Sequence, residues 1–241
     1  NLETNMRKIF TMLPFALAVL LFMGCKSSAP KKDSSFAKEL EQAQIRHDDR
    51  PINEIPFYGN RPKQECDEKF IREVTTKAGS GKKASAKLNE VCLYYFYQGN
   101  YPIASRRCNQ ALLLNPDNAD AMANFALISF CRGYKEEAFD LLDKASEIDA
   151  ENMTLMFSKA RIYRAEKDFI GALEVYKRAS ALGKSKDALG IVYGCWADLL
   201  KKMGDYESAK EKEKISNRYF TECGCQDMAS RYKQYCEIKC N

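Results

Sequence analysis

The feature that most constrains the fold of this chain is an internal repeat with a period of 34 residues. In the stretches 98–104, 132–138 and 166–172, a turn-forming segment and an aromatic residue precede an alanine. These alanines lie 34 residues apart, and a second alanine follows each of them by seven residues. A fourth copy over 203–209 comes 37 residues after the third, which places three additional residues near 183–186. Self-similarity at a fixed period of this length predicts a solenoid of stacked units.

A 34-residue period with this layout resembles the tetratricopeptide repeat (TPR). In that family each unit is two antiparallel helices, and small residues occupy the eighth, twentieth and twenty-seventh places, where the helices touch. Units numbered from 85, 119, 153 and 190 have small residues at all of these places: Cys92, Ala104, Ala111, Ala126, Ala138, Ala145, Ala160, Ala172, Ala179, Ala197, Ala209 and Ser216. The resemblance implies an all-α fold, a TPR-type right-handed helical solenoid of about four helix-turn-helix repeats.

The segments around the repeats divide the chain further. We expect the repeats over 85–223, an N-terminal capping helix over 64–84 and a C-terminal cysteine-rich capping helix over 224–241. Both caps are expected because stacked repeats leave an apolar face at each end. Residues 25–63 contain several Ser and Pro residues and few apolar runs. This composition predicts a flexible tether.

Residues 1–24 have the composition of a secretory signal. Met6 is followed by Arg7, Lys8 and an apolar run over 9–23. A helix needs about 20 apolar residues to cross a bilayer, so this run is short for a permanent span. We interpret Met6 as the true start, because residues 1–5 carry none of these features.

The apolar run ends in Gly24-Cys25, and this ending resembles a bacterial lipoprotein signal. The resemblance implies cleavage before Cys25 and acylation of its thiol, which would anchor an exported protein to a membrane of the cell envelope. The alternatives are an ordinary signal peptide with a chance cysteine and a single membrane anchor.

Side chains that catalytic sites need are scarce in this sequence. The single histidine, His47, lies in the tether, which excludes Ser-His-Asp and Cys-His catalysis within the folded part. The net charge of +5 is spread along the chain, as solvated helix faces are, so it does not predict a nucleic-acid partner. We therefore expect no enzymatic activity and no cofactor.

The predicted export favours disulfide bonds between the cysteines, because exported proteins reach an oxidising compartment. Four of them, Cys223, Cys225, Cys236 and Cys240, lie close together at the C-terminus. Four thiolates could bind zinc, but one helix over 226–239 would place Cys236 about 15 Å from the turn. We favour disulfides, whose connectivity the sequence does not give. A thiol redox or metal-binding protein that uses these four cysteines is the alternative function.

The resemblance to TPR proteins also implies a concave groove, lined by the second, fifth, ninth, twelfth and thirteenth places of each first helix. The groove would be aromatic at its N-terminal end and mostly basic at its C-terminal end. Its candidate residues are Leu93, Phe96, Tyr97, Leu127, Phe130, Phe157, Arg161, Arg164, Asp198, Lys201 and Lys202. The alternative is that the aromatic residues pack within the fold and the basic residues are solvated.

Together these features predict a membrane-anchored scaffold that binds another protein or an extended peptide in the bacterial cell envelope. By analogy of architecture alone, such a lipoprotein would assist the assembly of envelope machinery.

Overall fold

The structure is a computed structural model that describes residues 50–238 and Cys240. The predicted signal, Cys25 and most of the tether lie outside these residues. Two short 3-10 segments, Ile52–Glu54 and Pro56–Asn60, begin the described chain, and a third, Tyr232–Tyr235, lies near its end. Between them the α-helices are α1 (Glu65–Ala78), α2 (Gly81–Tyr97), α3 (Tyr101–Leu114), α4 (Ala119–Cys131), α5 (Lys135–Ile148), α6 (Met153–Ala165), α7 (Phe169–Ala181), α8 (Lys186–Lys202), α9 (Tyr206–Glu222) and α10 (Gln226–Arg231).

The helices form a TPR-type solenoid of four pairs. Helix α2 packs on α3, α4 on α5, α6 on α7, and α8 on α9. The small residues predicted at the helix contacts are all buried, with at most 2% of their surface exposed. Because these side chains are small, the two helices of a pair can approach each other closely. The predicted all-α fold and its repeat frame are confirmed.

The first and fourth repeats begin one helical turn before their predicted starts. Helices α4 and α6 begin at the predicted residues, whereas α2 begins at Gly81 and α8 at Lys186. For α2 the reason is local, since the Ser80 hydroxyl accepts a hydrogen bond from the backbone nitrogen of Lys83 and caps the helix. The capping helix α1 consequently ends at Ala78, short of the predicted boundary at 84.

The fourth repeat depends on a glycine at the contact between its helices. A Cβ atom added to Gly190 of α8 would lie 2.6 Å from the ring of Phe220 in α9. Phe220 is 2% exposed, so its ring has little room to move away. The Ser216 hydroxyl donates a 2.7 Å hydrogen bond to the Gly190 carbonyl oxygen across the same contact.

The last part of the predicted tether is folded against the repeats. Both 3-10 segments of residues 52–60 pack on α3. The buried carboxamide nitrogen of Asn109 in α3 donates hydrogen bonds to the carbonyl oxygens of Asn53 (3.0 Å) and Ile55 (2.7 Å). The prediction of a flexible tether is therefore wrong for residues 50–60, because a side chain of the first repeat donates hydrogen bonds to two of their carbonyl oxygens.

Ion pairs hold the same segment in place. The buried Glu54 carboxylate lies 2.8 Å from the Arg106 guanidinium of α3 and 3.3 Å from Arg132, which follows α4. Arg50 is also buried and lies 2.6 Å from the Glu137 carboxylate of α5. Burial of a charge costs free energy unless an opposite charge is close, so these partners are needed.

Between residues 50 and 238, no helix is long and apolar enough to cross a membrane.

We expect Ala138→Leu to lower the free energy of unfolding by about 1–3 kcal/mol, because the larger side chain overpacks the contact between α4 and α5. Urea denaturation followed by circular dichroism at 222 nm measures this change. Ala181→Leu is the matched control, since Ala181 is exposed at the last position of α7. An Ala138→Leu variant as stable as the wild type would show that the repeat register is wrong.

Candidate functional site

The C-terminus of the chain crosses the concave face of the solenoid. Helix α10 ends at Arg231, so the predicted capping helix over 224–241 is wrong beyond that residue. We call residues 232–238 together with Cys240 the tail. It passes the first helices of the repeats in reverse order, from α8 past α6 to the end of α4.

Two disulfides fasten the tail to the first helices. Cys236 is bonded to Cys195 in the middle of α8, and Cys240 is bonded to Cys131 at the end of α4. These bonds join residues that are 41 and 109 positions apart in sequence. The tail is therefore held covalently at both ends of its path across the concave face.

The first part of the tail packs through aromatic rings. The ring of Tyr232 lies 6.1 Å from that of Phe220, and a Cβ atom on Gly194 of α8 would lie 2.8 Å from the Tyr232 ring. The ring of Tyr235 lies 6.4 Å from that of Phe157 in α6. Aromatic pairs at these separations stabilise a contact beyond the area that they bury. Gly194 thus leaves the space that Tyr232 occupies on α8.

The centre of the tail is an acidic side chain among three basic ones. The Glu237 carboxylate accepts a hydrogen bond from the Nη2 atom of Arg164 at 3.1 Å and pairs with the Lys202 ammonium group. The backbone oxygen of Glu237 accepts from the Nε atom of Arg161 at 3.3 Å. The hydrogen bond from Lys202, with the nearby Arg164 charge, lowers the pKa of the Glu237 carboxyl, although partial burial opposes this shift. Glu237 is therefore a carboxylate at neutral pH.

The buried Arg164 guanidinium donates hydrogen bonds to several partners. Its Nη1 atom donates to the backbone oxygen of Cys195 at 3.1 Å, and its Nη2 atom also donates to the Asp198 carboxylate. A buried guanidinium needs such partners, because an unpaired charge in this position would be costly. The tail supplies one of the two carboxylates, through Glu237.

Four of the predicted groove residues meet at the tail: Phe157, Arg161, Arg164 and Lys202. Arg161 connects this region to the first repeat, since its guanidinium carbon lies 5.7 Å from the ring centroids of both Phe96 and Tyr97. Tyr97 is 41% exposed, and its hydroxyl accepts a 3.5 Å hydrogen bond from Arg161. The concave face therefore continues from the tail towards an accessible aromatic surface on α2.

Other predicted groove residues lie elsewhere. Phe96 and Leu127 belong to the buried core, with 5% and 0% of their surface exposed, which agrees with the alternative of packing within the fold. Leu93 and Phe130 are half-buried and pack against that core. Lys201 pairs with Glu213 of α9, the second helix of its own repeat, and no hydrogen bond or ion pair joins it to the described residues of the tail, although its charge lies near the Tyr232 phenol.

Sequence reasoning missed the tail as the occupant of the groove. Cys131 stands at the thirteenth place of the second repeat, which is a groove position in TPR proteins. A cysteine at that position, together with the predicted export, was the available signal that a second segment is bonded across the concave face.

The four C-terminal cysteines do not form one site. Cys223 is bonded to Cys225, while Cys236 and Cys240 are bonded to cysteines of α8 and α4. The alternative of zinc bound by these four thiolates is therefore wrong, because their sulfur atoms are used in three separate disulfides. Disulfides were favoured from the sequence, and the redox alternative stays a prediction.

A fourth disulfide lies inside the first repeat. Cys92 of α2 is bonded to Cys108 of α3, and neither residue has any exposed surface. Its place at the contact of the two helices suits a structural bond that solvent does not reach.

The chain has limited similarity to known proteins. No protein-family model matches the chain, and no curated protein matches its sequence at a significant level. The solved structure MamA MSR-1 C2 is 20% identical, with a TM-score of 0.43 over 65% of this chain and 95% of that chain. PilF of Pseudomonas aeruginosa is 18% identical, with a TM-score of 0.39 over 63% of this chain and 90% of that chain. MamA AMB-1 is 21% identical, with a TM-score of 0.41 over 63% and 88% of the two chains.

Proposed function

We propose that this protein is a membrane-anchored scaffold that binds another protein through an extended segment laid along the concave face of its repeats. One observation carries the proposal. The concave face already holds a segment of its own chain, through Phe157, Arg161, Arg164 and Lys202. A surface that binds one segment by side-chain packing and charge has the chemistry to bind another.

The composition of this face supports the same function. Aromatic and arginine side chains dominate the binding energy of many protein interfaces, because they bury much area at a low entropic cost. Tyr97 of α2 is 41% exposed, and its hydroxyl accepts a hydrogen bond from Arg161, which also bonds the tail. A partner segment can therefore make its first contacts with this accessible aromatic surface.

The anchor belongs to the proposal as well. Gly24-Cys25 follows a short apolar run behind two basic residues, and residues 26–49 would separate the lipid from Arg50, the first residue that the structure describes. A lipid-anchored, exported scaffold of the bacterial cell envelope accounts for both features, and assembly of envelope machinery is the role that this architecture suggests.

The groove is tested by affinity capture from native membranes followed by mass spectrometry. We expect a partner that the wild type captures to be lost with Arg161→Glu, since this change reverses a charge that lies between the tail and Tyr97. Lys210→Glu is the matched control, because Lys210 is exposed on α9, the second helix of its repeat. If the folded Arg161→Glu variant captures the same proteins as the wild type, recognition does not use the concave face.

The anchor is tested separately with Cys25→Ala. Without a thiol to acylate, the protein should appear in the soluble fraction or remain unprocessed, whereas the wild type should sediment with membranes. Mass spectrometry of the mature N-terminus gives the second readout, an acylated Cys25. A mature wild-type chain that begins at another, unmodified residue would exclude the lipid anchor.

A further inference from the structure

The tail and a partner segment would compete for the same side chains. Arg161 and Arg164 of α6 and Lys202 of α8 are all engaged by Glu237. Ile238 packs partly buried against the core of the first repeats. While the tail stays in place, a second segment cannot reach these groups. Access to this part of the groove therefore depends on what holds the tail.

The two disulfides of the tail differ in their accessibility. Cys195 and Cys236 are 0% and 1% exposed, so a reductant in solution cannot reach their bond. Cys240 is exposed and Cys131 is half-buried. Thiol–disulfide exchange requires a thiolate to approach one sulfur atom directly. The bond between Cys131 and Cys240 is therefore attacked first, and the inner bond becomes accessible only after the end of the tail has lifted.

We propose that the tail is an intramolecular ligand of the groove and that its two disulfides form a redox-controlled latch. Opening of the latch frees the tail and admits an extended partner peptide in which an acidic residue is followed by an aliphatic one. This inference rests on the proposed function, and it adds the chemistry of the partner and the condition under which it binds.

The tail itself defines the chemistry of that partner. Tyr235 packs against Phe157, and two residues later Glu237 pairs with Arg164 and Lys202. Ile238 then reaches the apolar core. A competing peptide must supply a carboxylate for Arg164, because removal of the tail leaves this buried guanidinium with fewer partners. An aliphatic residue after the carboxylate must cover the surface that Ile238 leaves.

Opening of the latch consumes a dithiol reductant of the cell envelope. One thiolate of the dithiol attacks a sulfur atom of the outer disulfide and forms a mixed disulfide, and its second thiol then displaces the protein sulfur. Cys131 and Cys240 gain two electrons and two protons in total, and the dithiol is oxidised to a disulfide. A second dithiol opens the bond between Cys195 and Cys236 in the same way.

The inference is tested with the full chain in an open and a closed form. The open form carries Cys131→Ser, Cys240→Ser, Cys195→Ala, Cys236→Ala and Glu237→Lys. The last change repels the tail from the three basic side chains, because a tethered tail would otherwise compete at a millimolar effective concentration. The closed control carries Glu237→Lys alone and keeps both disulfides.

The probe is a fluorescent peptide with the sequence of residues 232–239 and Ser in place of Cys236. We expect fluorescence anisotropy to show at least tenfold tighter binding to the open form than to the closed control. A peptide with Gln in place of the glutamate should bind the open form at least fivefold more weakly. A folded open form that binds the peptide no better than the closed control overturns the inference.

Reduction of the closed control gives a second measurement in case the open form does not fold, since its Glu237→Lys tail does not compete with the peptide once it is released. Graded dithiol treatment, alkylation and mass spectrometry report which disulfides have opened, and circular dichroism reports the helix content. We expect Cys131 and Cys240 to be alkylated before Cys195 and Cys236, and peptide binding to appear once both tail disulfides are open. Loss of the helical fold at that point would overturn the inference, because the tail would then be a structural part of the solenoid.

The outcomes separate this inference from the proposed function. If the wild type captures a groove-dependent partner but the open form binds the peptide no better than the closed control, only the latch is wrong. If the open form binds the peptide but itself captures no partner that depends on Arg161, the latch stands and the proposed scaffold function fails.

Discussion

Close contact between helices at small side chains is the constraint on which the rest of this structure depends. Where the two helices of a repeat cross, residues such as Ala104 and Ala138 have no exposed surface. Larger residues at these places would push the helix axes apart and change the stacking of every following repeat. The concave face exists because the first helices stack side by side, and the positions of Arg161, Arg164 and Lys202 relative to one another follow from that stacking.

The repeat frame could be predicted from sequence because it depends on local, periodic information. The spacing of the small residues gave the helix pairs, and the starts of α4 and α6 followed from the period. The docking of residues 50–60 could not be predicted in this way, since it depends on Asn109 and on charges of α3, of α5 and of Arg132 after α4. The tail is a similar case. Its partner Cys131 lies 109 positions from Cys240, and cysteine spacing alone does not determine connectivity.

The sequence predicted some residues of the candidate site, and physical reasons explain why it did not predict the others. The family register gave the positions of Phe157, Arg161, Arg164 and Lys202, all of which contact the tail. The register could not show whether Phe96 and Leu127 line the groove or lie in the core, because an apolar residue on a first helix suits either environment. It also expected exposed basic residues, whereas Arg161 and Arg164 are 4% and 6% exposed. The tail explains this difference, since a buried arginine needs the carboxylate and carbonyl groups that Glu237 provides.

The position of the C-terminal tail across the concave face is tested most directly by the disulfide connectivity of the native protein. Digestion under non-reducing conditions followed by mass spectrometry should give one linked peptide pair that joins Cys131 to Cys240 and another that joins Cys195 to Cys236. Both links are possible only if the tail passes from α8 to the end of α4. A bond between Cys236 and Cys240, or bonds from either of them to Cys223 or Cys225, would confine the cysteines of the tail to the C-terminus and would contradict the account.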